Sequence, residues 1–240
     1  ASWSAFIDQL SANNKLVLVD LVDQGQSDKA DEQYSQDFHV ECLVELFNKL
    51  NLGQVHLLGI SYGGEVAQRF ALKYEDRLLS LILSNTTSYT NKLLKDIGES
   101  WIYAAKTYDG RAFFKATMPF IYSAEFYEAN IDWLMARERA FSQALKPEWY
   151  EGFIRLVRSA EDLNITDEIH KIKVPTLIIG SEFDATTPIR YQEEIHRRIE
   201  NSKFVMVKGA GHALMYEKPL EFLTLVLGFI KSYNKEIKIF

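Results

Sequence analysis

Hydrophobic positions along the chain follow two different spacings. Short apolar runs, typical of buried strands, are followed by longer segments in which apolar residues recur at helical spacing. The runs predict strands at residues 16–20, 54–58, 78–84, 174–180 and 203–207. The helical spacing predicts helices at residues 5–12, 37–50, 65–74, 191–199 and 220–233. Strands that alternate with helices favour an α/β fold, with a mostly parallel central sheet covered by helices on both faces.

The middle of the chain, residues 92–161, has helical spacing and no convincing strand. It holds 14 of the 31 aromatic residues, far more than its share of the length. These aromatics could form the core of a helical subdomain, or they could line an apolar pocket beneath a helical lid. One helix pair can do both on opposite faces. We therefore expect a core built from residues 1–91 and 162–240, with an all-helical lid at 92–161 inserted in it.

Composition narrows the possible functions. At 240 residues, with 47% apolar and 25% charged residues, the chain suits one α/β domain with a small insertion. The net charge of −6 argues against nucleic-acid binding. No apolar run approaches the length of a membrane span. The only cysteine, Cys42, cannot form an internal disulfide, which fits a cytoplasmic protein. We expect a monomer or a homodimer.

The most informative segment is Gly-Ile-Ser-Tyr-Gly-Gly at residues 59–64, between a predicted strand and a predicted helix. A serine on such a tight turn is typical of hydrolase nucleophiles, because the turn lifts the hydroxyl clear of the sheet. We expect Gly59 and Gly63 to leave room for the turn. The N–H of Tyr62, at the helix start, is placed to stabilise an oxyanion beside Ser61.

A serine nucleophile needs a base, and the base needs an acid to orient it. Of the five histidines, only His212 lies in a glycine-flanked loop just after a predicted strand. Asp184 follows the strand at 174–180, and Glu182 is a weaker candidate in the same loop. Active sites of parallel sheets assemble at the carboxyl ends of the strands. The sequence therefore predicts that Ser61, Asp184 and His212 act together.

The order nucleophile, acid, base resembles that of the α/β-hydrolase superfamily. Residues 180–188 and 209–212 resemble the acid and histidine loops of that family, and residues 20–28 resemble its Asp-x-Arg-Gly-x-Gly-x-Ser loop. In the last of these, Val22 and Asp23 replace the usual Arg and Gly. The resemblance implies a serine hydrolase that needs no metal and no organic cofactor.

The chain departs from the family at its start. The family has a strand before the first predicted helix, and a His-Gly segment there supplies the second oxyanion N–H. The same strand lies between those that correspond to residues 16–20 and 54–58. We expect that such a strand precedes Ala1 in the native protein, since its loss would orphan two rows of backbone groups. Residues 16–20 and 54–58 should then lie roughly 9–10 Å apart, twice the normal strand spacing.

The expected activity is hydrolysis of a small to medium apolar or aromatic carboxylic ester through an acyl-enzyme. A carbon–carbon bond or thioester hydrolase with the same triad is an alternative. Another is a receptor in which a hydrolase-like pocket binds a small ligand. The residue types of the lid do not decide between them, because they do not give the shape of the pocket.

Overall fold

The structure, a computed structural model, describes residues 3–235. In this part of the chain, four parallel strands form one sheet in the spatial order β1-β2-β3-β4. The strands are β1 (Val55–Ile60), β2 (Leu78–Ser84), β3 (Thr176–Ser181) and β4 (Ser202–Val207).

Helices cover the sheet and fill the long connection between β2 and β3. They are α1 (Ile7–Ser11), α2 (Gln36–Lys49), α3 (Tyr62–Lys73), α4 (Lys92–Ala105), α5 (Gly110–Ile121), α6 (Ala124–Ala129), α7 (Ile131–Ala144), α8 (Pro147–Ala160), α9 (Arg190–Arg198), α10 (Leu214–Glu217) and α11 (Pro219–Ser232). We call α4–α8, residues 92–160, the helical insertion. Within residues 3–235, no helix combines the length and the apolar character needed to cross a membrane.

Alternating residues of the central strands pack into two cores, one on each face of the sheet. Leu81 and Leu83 of β2 face a core formed with α2, α3 and α9, while Ile82 between them faces a core formed with α1 and α11. In β3, Ile178 faces the first core, and its neighbours Leu177 and Ile179 face the second. The α/β fold with helices on both faces is thereby confirmed.

The strand predicted at residues 16–20 is wrong. Within residues 3–235 its backbone enters no strand ladder, and Leu18 and Val19 are exposed. An apolar run becomes a strand only where another strand satisfies its backbone groups. Within the described residues, the backbone of residues 16–20 forms no hydrogen bond with β1. Direct pairing of the two segments would have contradicted a strand between them, and it is not seen. The expected strand before Ala1 stays a prediction.

The turn from β1 into α3 brings two backbones unusually close together. A Cβ added to Gly59 would lie 2.3 Å from the carbonyl oxygen of Gly63, and one added to Gly64 would lie 2.6 Å from the Cβ of Thr86. A Cβ added to Gly63 would have nothing within 4 Å. The expectation for Gly59 therefore holds, while the one for Gly63 is wrong. Gly64 has that role instead, because its Cα faces the chain after β2.

The helical insertion is tied to the core by a buried ion pair. Arg155 of α8 donates to both carboxylate oxygens of Asp23, over 2.7 and 2.9 Å. The Asp23 side chain is fully buried and that of Arg155 is 16% exposed. Asp23 has φ +70°, in the left-handed region that favours the glycine usual at this position. The carboxylate compensates for that conformation by fixing both α8 and the N–H of Ala30, 3.1 Å away.

We predict that Gly59→Ala lowers the free energy of unfolding by about 1–3 kcal/mol, because the new methyl group meets backbone that cannot move aside. Gly63→Ala is the matched control, and it should be neutral or stabilise by up to about 1 kcal/mol, since alanine favours a helix. Urea unfolding of both variants measures the difference. Equal effects of the two substitutions would contradict the close contact at Gly59.

We predict that Arg155→Met lowers the free energy of unfolding at neutral pH by about 3–5 kcal/mol, because it leaves the Asp23 carboxylate buried without a partner. Lys171→Met removes an exposed ion pair with Glu168 and should cost at most about 1 kcal/mol. Thermal or urea unfolding gives both values. A loss no larger than that of the Lys171 control would show that the buried pair does not stabilise the fold.

The Arg155→Met effect should depend on pH. Burial raises the pKa of Asp23, but the Arg155 hydrogen bonds and charge outweigh it and hold that pKa below its ordinary value of 3.8. A depressed carboxyl pKa contributes stability above the ordinary pKa, and the contribution is lost as the pH falls through the depressed value. The difference between the parent and the variant should therefore shrink below about pH 4.

Candidate active site

Ser61 lies at the end of β1 and caps α3, in a conformation that its own backbone bonds hold. Its φ is +52° and its ψ −123°, which an L-residue rarely adopts. The Ser61 N–H donates to the carbonyl of Ser84 over 3.0 Å. The Ser61 carbonyl accepts from the N–H of Gly64 at 2.8 Å and from Thr86 Oγ1 at 2.7 Å. These bonds fix the strained residue between β1, β2 and α3, with its hydroxyl free for other contacts.

His212 approaches Ser61 from the loop after β4. Its Nε2 lies 2.8 Å from Ser61 Oγ, and the residue is 6% exposed. The loop is held against the helical insertion, because the N–H of Ala213 donates to the carbonyl of Ile121 over 2.9 Å. A Cβ added to Gly211 would lie 2.5 Å from the backbone nitrogen of Ser123. A glycine before His212 therefore lets the insertion and the histidine loop pack together.

Asp184 holds the other ring nitrogen of His212. Its Oδ2 lies 2.8 Å from His212 Nδ1 and also accepts from Thr187 Oγ1 at 2.9 Å. Its Oδ1 accepts from the N–H groups of Thr186 and Thr187, at 2.9 and 2.7 Å. Burial raises the pKa of this carboxyl, but His212 and the other hydrogen bonds outweigh it and hold the pKa below its usual value. The site therefore keeps Asp184 anionic and His212 oriented.

Asn85 also positions Asp184, and sequence reasoning missed it. Its Nδ2 donates to Asp184 Oδ2 and to Ser181 Oγ, each over 2.9 Å. The hydroxyl of Ser84 donates to its Oδ1 over 2.9 Å, which fixes the amide orientation. The signal in the sequence was the all-polar run at residues 84–88, which begins at the last residue of a predicted strand, and every residue of this run is buried. Buried polar groups need partners, so such a run indicates a hydrogen-bonded site.

Glu182, the weaker candidate acid, is exposed and does not face His212. Its Oε2 accepts from the N–H of Gly209 over 3.0 Å, which links the acid loop to the start of the histidine loop. Of the two acidic residues in the loop, only Asp184 contacts the histidine.

Tyr62 is the first residue of α3. Backbone N–H groups in the first turn of a helix have no acceptor within the helix, so the Tyr62 N–H is available beside Ser61. The phenol points away along the insertion, where its oxygen lies 2.8 Å from Ser159 Oγ of α8. This contact links the start of α3 to the helical insertion, and Tyr62 also lines the cavity beside Ser61.

A cavity of about 220 Å³ opens beside Ser61, between the core and the helical insertion. Its lining combines apolar side chains of α4 and α8 with polar groups of the core, and the residues are Gln24, Ser61, Tyr62, Glu65, Thr90, Leu94, Lys95, Gly98, Trp101, Phe153, Leu156, Val157, Ala160, Glu161, Thr186 and Thr187. Only Trp101 and Phe153 come from the aromatic residues of the insertion.

Most aromatics of the insertion pack against one another instead. Phe113 contacts Trp149, Tyr150 and Phe153 at ring-centroid distances of 5.3, 5.9 and 4.8 Å. A small helical unit must bury its own apolar area to be stable, and large rings do so with few residues. Most of the rings therefore form the core of the helical insertion, and two of them also line the cavity.

No cluster of three or more His, Cys, Asp or Glu side chains in residues 3–235 has the arrangement of a metal site. The titratable side chains that line the cavity beside Ser61 are those of Tyr62, Glu65, Lys95 and Glu161.

Comparison with known proteins shows the family and the fold of the chain. The α/β hydrolase fold family matches residues 1–219. The chain is similar to MGS-M2, an α/β hydrolase enzyme from a Medee basin deep-sea metagenome library, with 38% identity and a TM-score of 0.96 over 99% of this chain and 87% of that one. It is also similar to a malate-bound thermophilic esterase from Thermogutta terrifontis, with 25% identity and a TM-score of 0.82 over 98% and 86%.

A relative with a different activity is a proline iminopeptidase from Saccharolobus solfataricus, 29% identical over 86% of this chain and 72% of its own length. The proteins that resemble this chain thus include an esterase and a proline iminopeptidase. From the extent of the family match, together with the sheet order and the serine turn, this chain belongs to the α/β hydrolase fold family.

Proposed function

We propose that the protein is a serine hydrolase that cleaves a small to medium carboxylic ester through an acyl-enzyme. One observation carries the proposal. His212 Nδ1 lies 2.8 Å from Asp184 Oδ2, and His212 Nε2 lies 2.8 Å from Ser61 Oγ. Ser61 in turn lines a cavity that has many apolar side chains. This arrangement suits the nucleophilic attack of a serine activated by a neighbouring base.

In the proposed reaction, Ser61 Oγ attacks the ester carbonyl while His212 Nε2 takes its proton. Asp184 accepts the Nδ1–H of His212, which keeps Nε2 free to act as a base and stabilises the imidazolium that forms. His212 then gives the proton to the leaving alcohol, and the acyl group stays on Ser61. Water, deprotonated by His212 in turn, hydrolyses that intermediate.

The oxyanion of the tetrahedral intermediate needs donors fixed in advance. The N–H of Tyr62 is the proposed first donor, since it starts α3 and has no acceptor within the helix. The positive end of the α3 dipole adds to its effect.

The helical insertion is proposed to act as a lid that selects the substrate by size and polarity. Its α4 and α8 contribute Leu94, Leu156 and Val157 to the cavity, which favours an apolar acyl or alcohol group. The volume of about 220 Å³ lies below the ~300–1,000 Å³ of pockets for drug-sized ligands, which is why we propose a small to medium ester. We also propose a cytoplasmic location for the protein, because its single cysteine, Cys42, has no second cysteine with which to form an internal disulfide.

We predict that Ser61→Ala lowers turnover of p-nitrophenyl esters by about 10⁴-fold or more, because no other group of the site can form the acyl-enzyme. A fluorophosphonate probe should label the parent and fail to label this variant. Ser100→Ala, which changes an exposed serine of α4, is the matched control and should keep full turnover and labelling. Unfolding curves of all three proteins verify that they are folded.

The substrate panel separates the alternatives. Hydrolysis of oxygen esters with a burst of p-nitrophenol supports the acyl-enzyme, whereas thioesters cleaved faster than matched oxygen esters would favour a thioester hydrolase. Labelling of Ser61 without turnover of any ester, thioester or β-diketone would contradict the proposed function and favour a small-ligand receptor. Equal activity of Ser61→Ala and the parent would remove Ser61 as the nucleophile.

We predict that Asp184→Asn lowers kcat by about 10³–10⁴-fold, because an amide no longer holds His212 in the tautomer that leaves Nε2 as a base. Glu182→Gln is the matched control in the same loop, and its kcat should stay within about two-fold of the parent. Steady-state kinetics on one p-nitrophenyl ester measure both. A large loss in Glu182→Gln with activity retained in Asp184→Asn would reverse the assignment of the acid.

A further inference from the structure

Glu65 is a buried carboxyl that the proposed mechanism does not use. It lies one helical turn after Ser61 in α3, is 6% exposed, and lines the cavity together with Ser61 and Tyr62. Among residues 3–235, no Lys or Arg forms an ion pair with it, and the nearby Arg69 pairs with Asp37 instead. A carboxylate in such a place would be costly, because burial removes its hydration without supplying a counter-charge.

The hydrogen bonds around Glu65 fix how its carboxyl is used. Arg69 Nε donates to Gln36 Oε1 over 3.0 Å, so the amide nitrogen of Gln36 points the other way. That nitrogen donates to Glu65 Oε2 over 2.5 Å, which makes Oε2 an acceptor. In the neutral acid the proton therefore resides on Oε1. Within the described part of the chain, Oε1 has no hydrogen-bond partner, and the cavity is the space left for one.

The charge state agrees with this geometry. Burial raises the pKa of Glu65 to about 8, against the Gln36 hydrogen bond and the positive charge of Arg69, which lower it. Tyr62 also faces Glu65 from the same helix, and its own pKa is raised by burial, so it is neutral over the same range. Lys95 of α4 and Glu161 at the end of α8 line the same cavity, and Lys95 forms its ion pair with Asp162 rather than with Glu65. At neutral pH the group beside the nucleophile is thus a carboxylic acid with an unused O–H.

We propose that Glu65 is a specificity-determining residue whose Oε1–H donates a hydrogen bond to an acceptor oxygen of the substrate. The inference rests on the proposed ester hydrolysis and adds to it the substrate class. The ester should carry an ether or carbonyl oxygen a few atoms from the scissile bond, within an otherwise apolar chain. Glu65 is not given a catalytic role, because the hydrogen-bonded chain from Asp184 to Ser61 is complete without it.

The test compares substrates that differ by one oxygen. On the acyl side, p-nitrophenyl methoxyacetate is paired with p-nitrophenyl butyrate, and on the alcohol side, 2-methoxyethyl acetate is paired with butyl acetate. In each pair an ether oxygen replaces one methylene. The measured quantity is the ether preference, which is kcat/KM for the ether ester divided by kcat/KM for the matched alkyl ester. When the ether preference of a variant is divided by that of the parent, the intrinsic reactivity of each ester cancels.

Two variants of Glu65 should differ in their effect on the ether preference. Glu65→Met fills a similar volume but cannot donate, so for at least one pair it should lower the ether preference by about 3–10-fold, the effect of one net hydrogen bond. Glu65→Gln can accept from Gln36 and still present an N–H to the cavity, so it should keep the parent ratio. The loss should appear mainly in KM, since the bond is made in the ground state and in the transition state alike.

A pH series tests the same hydrogen bond in the parent protein, with Glu65→Gln as the reference. Above its raised pKa of about 8, Glu65 becomes a carboxylate and can no longer donate, so the ether preference of the parent should fall across that pH. The preference of Glu65→Gln should stay constant, because an amide does not titrate. A ratio that changes equally in both proteins would overturn the proposal.

The outcomes separate this inference from the proposed function. Hydrolysis of both members of each pair, with ratios that neither Glu65→Met nor pH changes, would overturn the role of Glu65 and leave the serine hydrolase intact. An equal loss of kcat on both members of a pair would assign Glu65 a structural role instead. Absence of hydrolysis of all four esters, with the fluorophosphonate failing to label Ser61, would overturn both proposals.

Discussion

The close contact between the β1 backbone and the start of α3 is the constraint on which the candidate site depends. Gly59 lies where any Cβ would strike the carbonyl of Gly63, and this contact bends the chain sharply enough to hold Ser61 at positive φ. Strain of this kind persists only where the surroundings over-determine it. Here they do, because the backbone of Ser61 is bonded to Ser84 and to Thr86 as well as to α3. The position of the Ser61 hydroxyl is consequently fixed by the backbone of the sheet and of α3.

The parallel sheet then brings the remaining groups to the same edge. Ser61, Asn85, Asp184 and His212 each follow a different strand, so residues distant in sequence become neighbours without any special loop. Both carboxylate oxygens of Asp184 accept hydrogen bonds, and these bonds stabilise its anionic form. Glu65 has the opposite environment, with burial and a single amide donor. Two buried carboxyls in one site thus hold different charges at neutral pH because of what surrounds them.

Much of this was predictable from the sequence, and the failures have physical causes. Four predicted strands formed within about two residues of their expected bounds, because buried parallel strands leave strong apolar signals. The order of Ser61, Asp184 and His212 gave the topology of the site. The apolar run at 16–20 misled, since periodicity cannot show whether a strand has a partner. Asn85 and Glu65 were missed because their roles depend on long-range hydrogen bonds, and no local pattern reports which donor reaches them.

The Asp23–Arg155 pair has a consequence for the order in which the chain acquires its shape. The two residues are 132 positions apart, so during synthesis the loop around Asp23 emerges well before α8 exists. Until then, only local hydrogen bonds can hold the turn, from the N–H of Ala30 to the carboxylate and from the N–H of Asp23 to the carbonyl of Asp28. The carboxylate loses its water and gains its counter-charge only when Arg155 docks. We therefore expect the burial of the loop and the docking of α8 to be one cooperative step, although the loop belongs to the start of the chain and α8 to its middle.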